Sequence, residues 1–157
     1  KRFTYWPQFF LGLAFNYGAL LGWAAVKGEL SLAPVIMYVG GIAWRLGYDT
    51  IYAHQDKEDD ILISVKSTAL KLGEQTRPWL AGFYAVIFAC LLLSGYLVGL
   101  TLPFYILMAG AGAHLFWQIK ALDIGNSDLC LLLFKSNKTF GFIVLAAIIA
   151  GKFALPL

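Results

Sequence analysis

The chain has 157 residues, of which 60% are hydrophobic and 13% are charged, and its formal net charge is +3. Soluble domains are about 45–50% apolar and about 25% charged, so this composition excludes a soluble monomer and a disordered chain. Only two cysteines are present, which excludes a disulfide-stabilised scaffold and leaves an integral membrane protein.

Five stretches of the sequence are apolar enough and long enough to cross a bilayer as helices, which takes about 20 residues. In chain order they are residues 9–26, 32–53, 79–98, 102–122 and 139–155. Strands are not expected, because no sustained two-residue alternation occurs and open sheet edges are not tolerated in lipid. The sequence therefore predicts an all-α integral membrane helical bundle of about five transmembrane helices, with residues 1–157 in a single membrane domain.

The connections between these helices differ in length. Residues 54–78 and 123–138 form two long connections, whereas the turns near residues 27–31 and 99–101 are tight. If every helix crosses, the N-terminus and both long connections share one side, and the opposite side carries only Lys27 and Lys152 as basic residues. The positive-inside rule then places the long connections in the cytoplasm, or in the matrix of a mitochondrion.

Ionisable residues continue from the second predicted span into the first long connection. At about 100° per residue, Asp49, Asp56 and Asp60 fall within about 40° of one another if the helix continues. Arg45 and Tyr52 flank the same stripe. Charges inside a membrane are costly, and acids at the C-terminal end of a helix oppose its dipole. We therefore expect Arg45 to pair with Asp49, one turn later.

The remaining acids of this segment, Asp56, Asp59 and Asp60, have only Lys57 as a basic neighbour. A divalent cation is a natural partner for carboxylates four residues apart on a helix, and Mg²⁺ usually binds substrate phosphates as well. The sequence thus predicts Asp56, Asp59 and Asp60 as Mg²⁺ ligands. A solvated run of charges is the alternative, and it is the stronger one for Asp59 taken alone.

The segment from Tyr48 to Asp60 resembles the second Asp-rich motif of the UbiA-type intramembrane prenyltransferases. The matching residues are Tyr48-Asp49-Thr50-Ile51-Tyr52-Ala53, Gln55-Asp56 and Asp59-Asp60. Residues 1–8, 63–69 and 133–137 also resemble segments of that family. The similarity is greatest to the branch that prenylates 4-hydroxybenzoate in ubiquinone biosynthesis.

This resemblance implies a fold of nine transmembrane helices, of which the chain corresponds to the last five. Family members carry two Asp-rich motifs, but no motif of the kind NDxxDxxxD occurs here, and the chain begins at Lys1 rather than at methionine. No signal-peptide pattern is present. We therefore expect the C-terminal portion of a prenyltransferase, inactive alone.

The resemblance also implies roles for individual residues. Asp49, Asp56 and Asp60 are the expected catalytic residues, and Mg²⁺ is the expected cofactor. The residues with an expected substrate-binding role are Lys1, Arg2, Tyr48, Tyr52 and Lys66. The expected substrates are a polyprenyl diphosphate and 4-hydroxybenzoate, in a lipid bilayer and without a nucleic-acid partner.

The implied reaction is an electrophilic aromatic substitution, in which a ring carbon attacks the allylic cation left by a departing diphosphate. Other aromatic acceptors remain open, among them homogentisate, a naphthoate, a tetrapyrrole and protohaem. A transporter is a further alternative, because buried Arg45 and Asp49 are also found on ion pathways. The membrane is expected to be a bacterial or a mitochondrial inner membrane.

Overall fold

The computed structural model describes residues 3–153, apart from the side chain of Glu58. Within that range every regular element is helical. The elements are α1 Pro7–Phe15, α2 Gly18–Lys27, α3 Leu32–Gln55, α4 Lys57–Leu62, α5 Thr68–Leu72, a 3-10 turn Gly73–Gln75, α6 Thr76–Leu97, α7 Leu102–Ala121 and α8 Ser127–Phe153. The predicted all-α class is confirmed.

Short turns join α2 to α3 and α6 to α7, as the sequence predicts. Gly28 ends α2 with a φ of +74°, a left-handed conformation that glycine adopts at little cost. Ser31 is extended immediately before α3. Pro103 lies in the first turn of α7. An N–H in that turn has no acceptor within the helix, so the N–H that proline lacks costs no hydrogen bond.

The predicted span over residues 9–26 is found within Pro7–Lys27, but its helix is interrupted, because α1 ends at Phe15 and α2 begins at Gly18. At the break, the side-chain amide of Asn16 donates to the carbonyl of Gly12 at 2.8 Å. Such local side-chain bonds compete with the backbone ladder of a helix and interrupt it. The carboxamide of Asn16 also lies where a Cβ on Gly41 would be, so the break packs directly on α3.

The prediction of a long connection over residues 123–138 is wrong, because α8 begins at Ser127. The side chain of Asn126 accepts a hydrogen bond from the N–H of Leu129 at 3.0 Å and so caps the first turn. With 27 residues, α8 is about 40 Å long and exceeds the hydrocarbon core of about 30 Å. Polar residues in its first turns are therefore compatible with a helix that extends beyond the lipid.

Helix α3 is the centre of the bundle. It packs most extensively against α6, and it also contacts α8, α1 and α2, while α7 pairs with α8. Side chains from four helices fill the space between them, each at most 2% exposed, and they include Ile51, Tyr84, Met108, Leu133 and Phe140. The helix that carries the acidic motif is thus held on several sides by its neighbours.

Four segments of the described chain are long and apolar enough to cross a membrane. They are Pro7–Lys27, Thr68–Leu97, Leu102–Ala121 and Ser127–Phe153. Helix α3 is not among them although it has 24 residues, since its second half contains Arg45, Asp49 and polar neighbours that lower its hydropathy. These apolar segments make the chain an integral membrane protein whose most polar long helix lies at the centre.

Candidate active site

The predicted ion pair between Arg45 and Asp49 is confirmed. Arg45 Nε lies 2.6 Å from Asp49 Oδ2, one turn along α3. The same guanidinium donates a hydrogen bond from Nη1 to the hydroxyl of Tyr48 at 2.8 Å. Its central carbon lies 4.7 Å from the ring centroid of Phe15 in α1. Two aromatic rings and a carboxylate therefore surround the arginine, which offsets the cost of a charge at this depth.

The acidic stripe does not continue as one uninterrupted helix. Helix α3 ends at Gln55, Asp56 has φ −95° and ψ 9°, and α4 begins at Lys57. The helix dipole gives a physical reason, since acids are unfavourable in the last turn of a helix and favourable in the first turn. The break moves Asp59 from the end of one helix to the beginning of another.

Asp56 and Asp60 nevertheless keep the spacing of one helical turn. The N–H of Asp60 donates to the carbonyl of Asp56 at 2.9 Å, which is the i to i−4 bond of an α-helix. The three acids differ in exposure, because Asp60 is 3% exposed, Asp56 is half-buried and Asp59 is exposed. Asp56 and Asp60 are therefore one helical turn apart, and Asp60 is the more buried of the two.

Two buried hydrogen bonds tie the last turns of α3 to the segment that follows α4. The hydroxyl of Thr50 donates to the carbonyl of Leu46 at 2.6 Å and accepts from Thr68 in α5 at 2.9 Å. His54 Nε2 lies 2.8 Å from the hydroxyl of Thr76, which donates to the carbonyl of Gly73. Because the single hydroxyl hydrogen of Thr76 is used in the bond to Gly73, the bond between Thr76 and His54 requires His54 Nε2 to be the donor. Neither bond could be predicted from the sequence, because each joins residues about 20 positions apart.

Lys66 and Lys71 approach the same aromatic ring. Their Nζ atoms lie 5.3 and 5.8 Å from the ring centroid of Tyr5, which precedes α1. Predicted Lys66 therefore lies against the N-terminal segment, and Lys71, which was not predicted from the sequence, approaches the same ring. Lys1 and Arg2, the other predicted anion-binding residues, lie outside the described residues.

The two predicted tyrosines pack against α8. The rings of Tyr48 and Tyr52 lie 5.8 and 4.8 Å from that of Phe134. Trp44 stands edge-on to Tyr48 at 5.2 Å, and its indole nitrogen donates to Asn137 at 2.8 Å. The structure therefore gathers an aromatic wall beside the Arg45–Asp49 pair, and an inter-helix hydrogen bond holds that wall in place.

A second polar network lies deeper in the bundle. Gln118 is fully buried, accepts a hydrogen bond from the hydroxyl of Tyr84 and donates to Ser136 at 2.7 Å. It also lies 3.2 Å from the ring nitrogen of His114. The network joins α6, α7 and α8 next to the core face of α3, and polar side chains commonly connect membrane helices in this way.

In the described part of the chain, no three His, Cys, Asp or Glu side chains are arranged to hold a metal ion. Mg²⁺ is commonly bound by one or two carboxylates with substrate phosphates and water completing its shell, so a pair of aspartates has suitable chemistry. Asp56 and Asp60 fit that requirement as oxygen donors one turn apart. The metal role of Asp56, Asp59 and Asp60 stays a prediction.

Comparison with known proteins identifies the family. The sequence profile of the UbiA prenyltransferase family matches residues 1–146. The chain belongs to this family. The predicted resemblance is therefore confirmed, and the match covers α1 to most of α8. No solved structure matches the chain.

Curated relatives are similar along almost the whole chain. A Caenorhabditis elegans protein is 53% identical over 152 residues, which cover 96% of this chain and 43% of that protein. A Homo sapiens protein is 51% identical over 153 residues, covering 97% and 41%, and an Arabidopsis thaliana protein is 48% identical over 153 residues, covering 97% and 38%. Each is named 4-hydroxybenzoate polyprenyltransferase, mitochondrial. The chain spans about two fifths of the length of these relatives.

Proposed function

We propose that this UbiA-family chain is the part of an aromatic prenyltransferase that carries the second Asp-rich motif. The transferred group is a polyprenyl chain, its donor is polyprenyl diphosphate, and its acceptor is the ring of 4-hydroxybenzoate in ubiquinone biosynthesis. The observation that carries the proposal is the identity of about half of all residues, over nearly the whole chain, to proteins named for this acceptor. The named acceptor favours 4-hydroxybenzoate over the other aromatic compounds.

Asp56 and Asp60 would hold Mg²⁺ together with the diphosphate of the donor. When bound, the metal supplies positive charge that makes the diphosphate a better leaving group. The one-turn spacing of the two residues and their position where α3 meets α4 support this role. Lys66 and Lys71 lie on the segment that follows α4 and are the described basic groups proposed to attract the diphosphate.

The reaction replaces one bond by another. The bond between the allylic carbon and the diphosphate oxygen breaks, and its electron pair leaves with the diphosphate. The ring carbon ortho to the phenol hydroxyl forms the new carbon–carbon bond, and that carbon then loses its proton, which restores aromaticity. The protein must position both substrates and exclude water, because water would convert the cation to a free alcohol.

The aromatic wall and the Arg45–Asp49 pair suit these requirements. The faces of Tyr48 and Tyr52 offer negative π-electron density to a developing cation without offering a nucleophile. Arg45 holds the carboxylate of Asp49 in one orientation. We propose that this buried acid interacts with the acceptor, 4-hydroxybenzoate. The aromatic contacts of Arg45 shield the ion pair from water and so maintain this orientation.

The proposed location is a mitochondrial inner membrane, since the relatives are named as mitochondrial. In that membrane the α3–α4 junction would face the matrix, because positively charged connections prefer that side.

The test is transfer of a labelled polyprenyl group to 4-hydroxybenzoate by the full-length protein in membranes. Asp56→Asn and Asp60→Asn should each lower turnover by about a hundredfold or more, because each removes an oxygen ligand that acts in the transition state. Asp128→Asn is the matched control, since Asp128 is an exposed acid at the start of α8 and should leave turnover unchanged.

A titration with Mg²⁺ separates the metal role from a folding defect. Both variants should require more Mg²⁺ for their residual activity, and Asp56→Asn, at the half-buried position, should keep the thermal stability of the unmodified protein. Near-normal turnover in either variant would show that the substituted aspartate does not act as a metal ligand.

A further inference from the structure

A cavity of about 870 Å³ lies at the opposite end of the bundle from the acidic motif. It is bounded by α2, the start of α3, the first turn of α7 and the last turns of α6 and α8. Helix α3 has 24 residues and is about 36 Å long, so Ala33 at the cavity and Asp56 are separated by most of the thickness of a membrane. The cavity is therefore separate from the proposed active site.

The chemistry of the cavity is apolar with a basic edge. Its walls include Met37, Leu91 and Phe104, whereas Lys27 and Lys152 are the charged residues that line it. Among the described residues that form the lining, none is a carboxylate. Glu29 lies in the turn after Lys27 but is exposed and does not belong to the lining.

We propose that this cavity binds an anionic phospholipid, with an acyl chain against the apolar walls and the headgroup phosphate against Lys27 and Lys152. The volume lies within the range of about 300–1,000 Å³ that is typical of small-molecule sites. A soluble anion would leave the apolar walls uncovered. A zwitterionic lipid has no net negative charge and would interact more weakly with the two lysines. Lysine ammonium groups bind a phosphate as point charges, while apolar walls of this kind bind an acyl chain.

Binding is measured by native mass spectrometry of the full-length protein, using palmitoyl-oleoyl phosphatidylglycerol against the phosphatidylcholine of the same chains. We expect retention of phosphatidylglycerol in preference to phosphatidylcholine. The double variant Lys27→Gln/Lys152→Gln should bind phosphatidylglycerol roughly 25-fold more weakly, at about fivefold for each lysine. Lys120→Gln/Lys138→Gln removes the same charge from residues that do not line the cavity and should bind normally.

A second pair of variants tests the apolar part of the site. Gly22 lines the cavity, and a Cβ added there meets no atom within 4 Å, so Gly22→Phe adds a ring at the cavity without a clash at its Cβ. Gly110 in α7 is equally open but does not line it, which makes Gly110→Phe the matched control. Gly22→Phe should abolish the retained phosphatidylglycerol, and Gly110→Phe should not.

Two results would overturn the proposal. One is equal affinity of the Lys27→Gln/Lys152→Gln protein and its control for phosphatidylglycerol. The other is unchanged lipid retention in Gly22→Phe, as expected if a helix from another part of a longer protein fills this space. Neither result depends on prenyl transfer, so the proposed function can fail or succeed separately.

Discussion

Gly47 provides the sharpest test of how α3 is seated in the bundle. A Cβ added at this position would lie 2.6 Å from Tyr84 Cε1 and 3.3 Å from Leu80 Cδ1, both in α6. The ring of Tyr84 is 2% exposed, and its hydroxyl is bound to Gln118, so it has no free space into which to move. Gly47→Ala must therefore push α3 away from its most extensive partner.

The expected cost follows from two opposing terms. Overpacking of a well-packed core typically costs about 1–3 kcal/mol, while replacing a helical glycine by alanine returns about 0.5–1 kcal/mol. We expect a net destabilisation of about 1–2 kcal/mol, which for a chain of this size corresponds to a melting temperature lower by about 2–8 °C. Gly110→Ala is the control. Its Cβ meets no atom within 4 Å, so only the stabilisation from replacing a helical glycine by alanine remains.

The assay is thermal unfolding in detergent, followed with a thiol-reactive dye. Cys90 is half-buried and Cys130 is buried, and both are free thiols, so the dye reports their exposure as the bundle opens. A Gly47→Ala protein that melts at or above the temperature of the Gly110→Ala protein would refute the close contact between α3 and α6.

Three further predictions concern the ion pair, the buried network and the orientation. Arg45→Gln should destabilise the protein by about 3 kcal/mol because it leaves a buried carboxylate without its partner, whereas Arg45→Gln combined with Asp49→Asn should recover part of that loss in the same melting assay; equal losses would mean that the pair is not coupled. Gln118→Leu should cost about 1 kcal/mol by leaving a buried tyrosine hydroxyl without an acceptor, and an unchanged melting temperature would contradict the network. In a cysteine-free background, an impermeant maleimide should label exposed Ser64→Cys from the matrix or cytoplasmic side and Glu29→Cys from the other side, and the reverse pattern would invert the predicted orientation.

Features that depend on neighbouring residues of one helix could be predicted from the sequence. The membrane class follows from composition, because too few charges are available to cover a soluble globule. The Arg45–Asp49 pair follows from a spacing of four residues, which brings two side chains together on any α-helix. The family resemblance rests on the same local segment, Tyr48 to Asp60, and the family match confirms it.

Features that depend on how helices pack could not be predicted in this way. Residues 123–138 contain enough polar side chains to favour a loop, yet most of them lie in α8, where Asn137 bonds to Trp44 of α3. The bonds that Thr50 makes to α5 and His54 makes to α6 likewise depend on contacts between helices. Hydropathy and periodicity describe which face of a helix is apolar, but they carry no information on which other helix will meet it.

The sequence by itself determined that this is a helical membrane protein with an acidic motif near one end of a central helix. Tertiary structure decided which groups surround that motif, and it created the lysine-edged cavity at the far end. The physical reason is that helix formation uses bonds between residues four apart, whereas a cavity or a buried hydrogen bond requires side chains from helices that are distant in the chain.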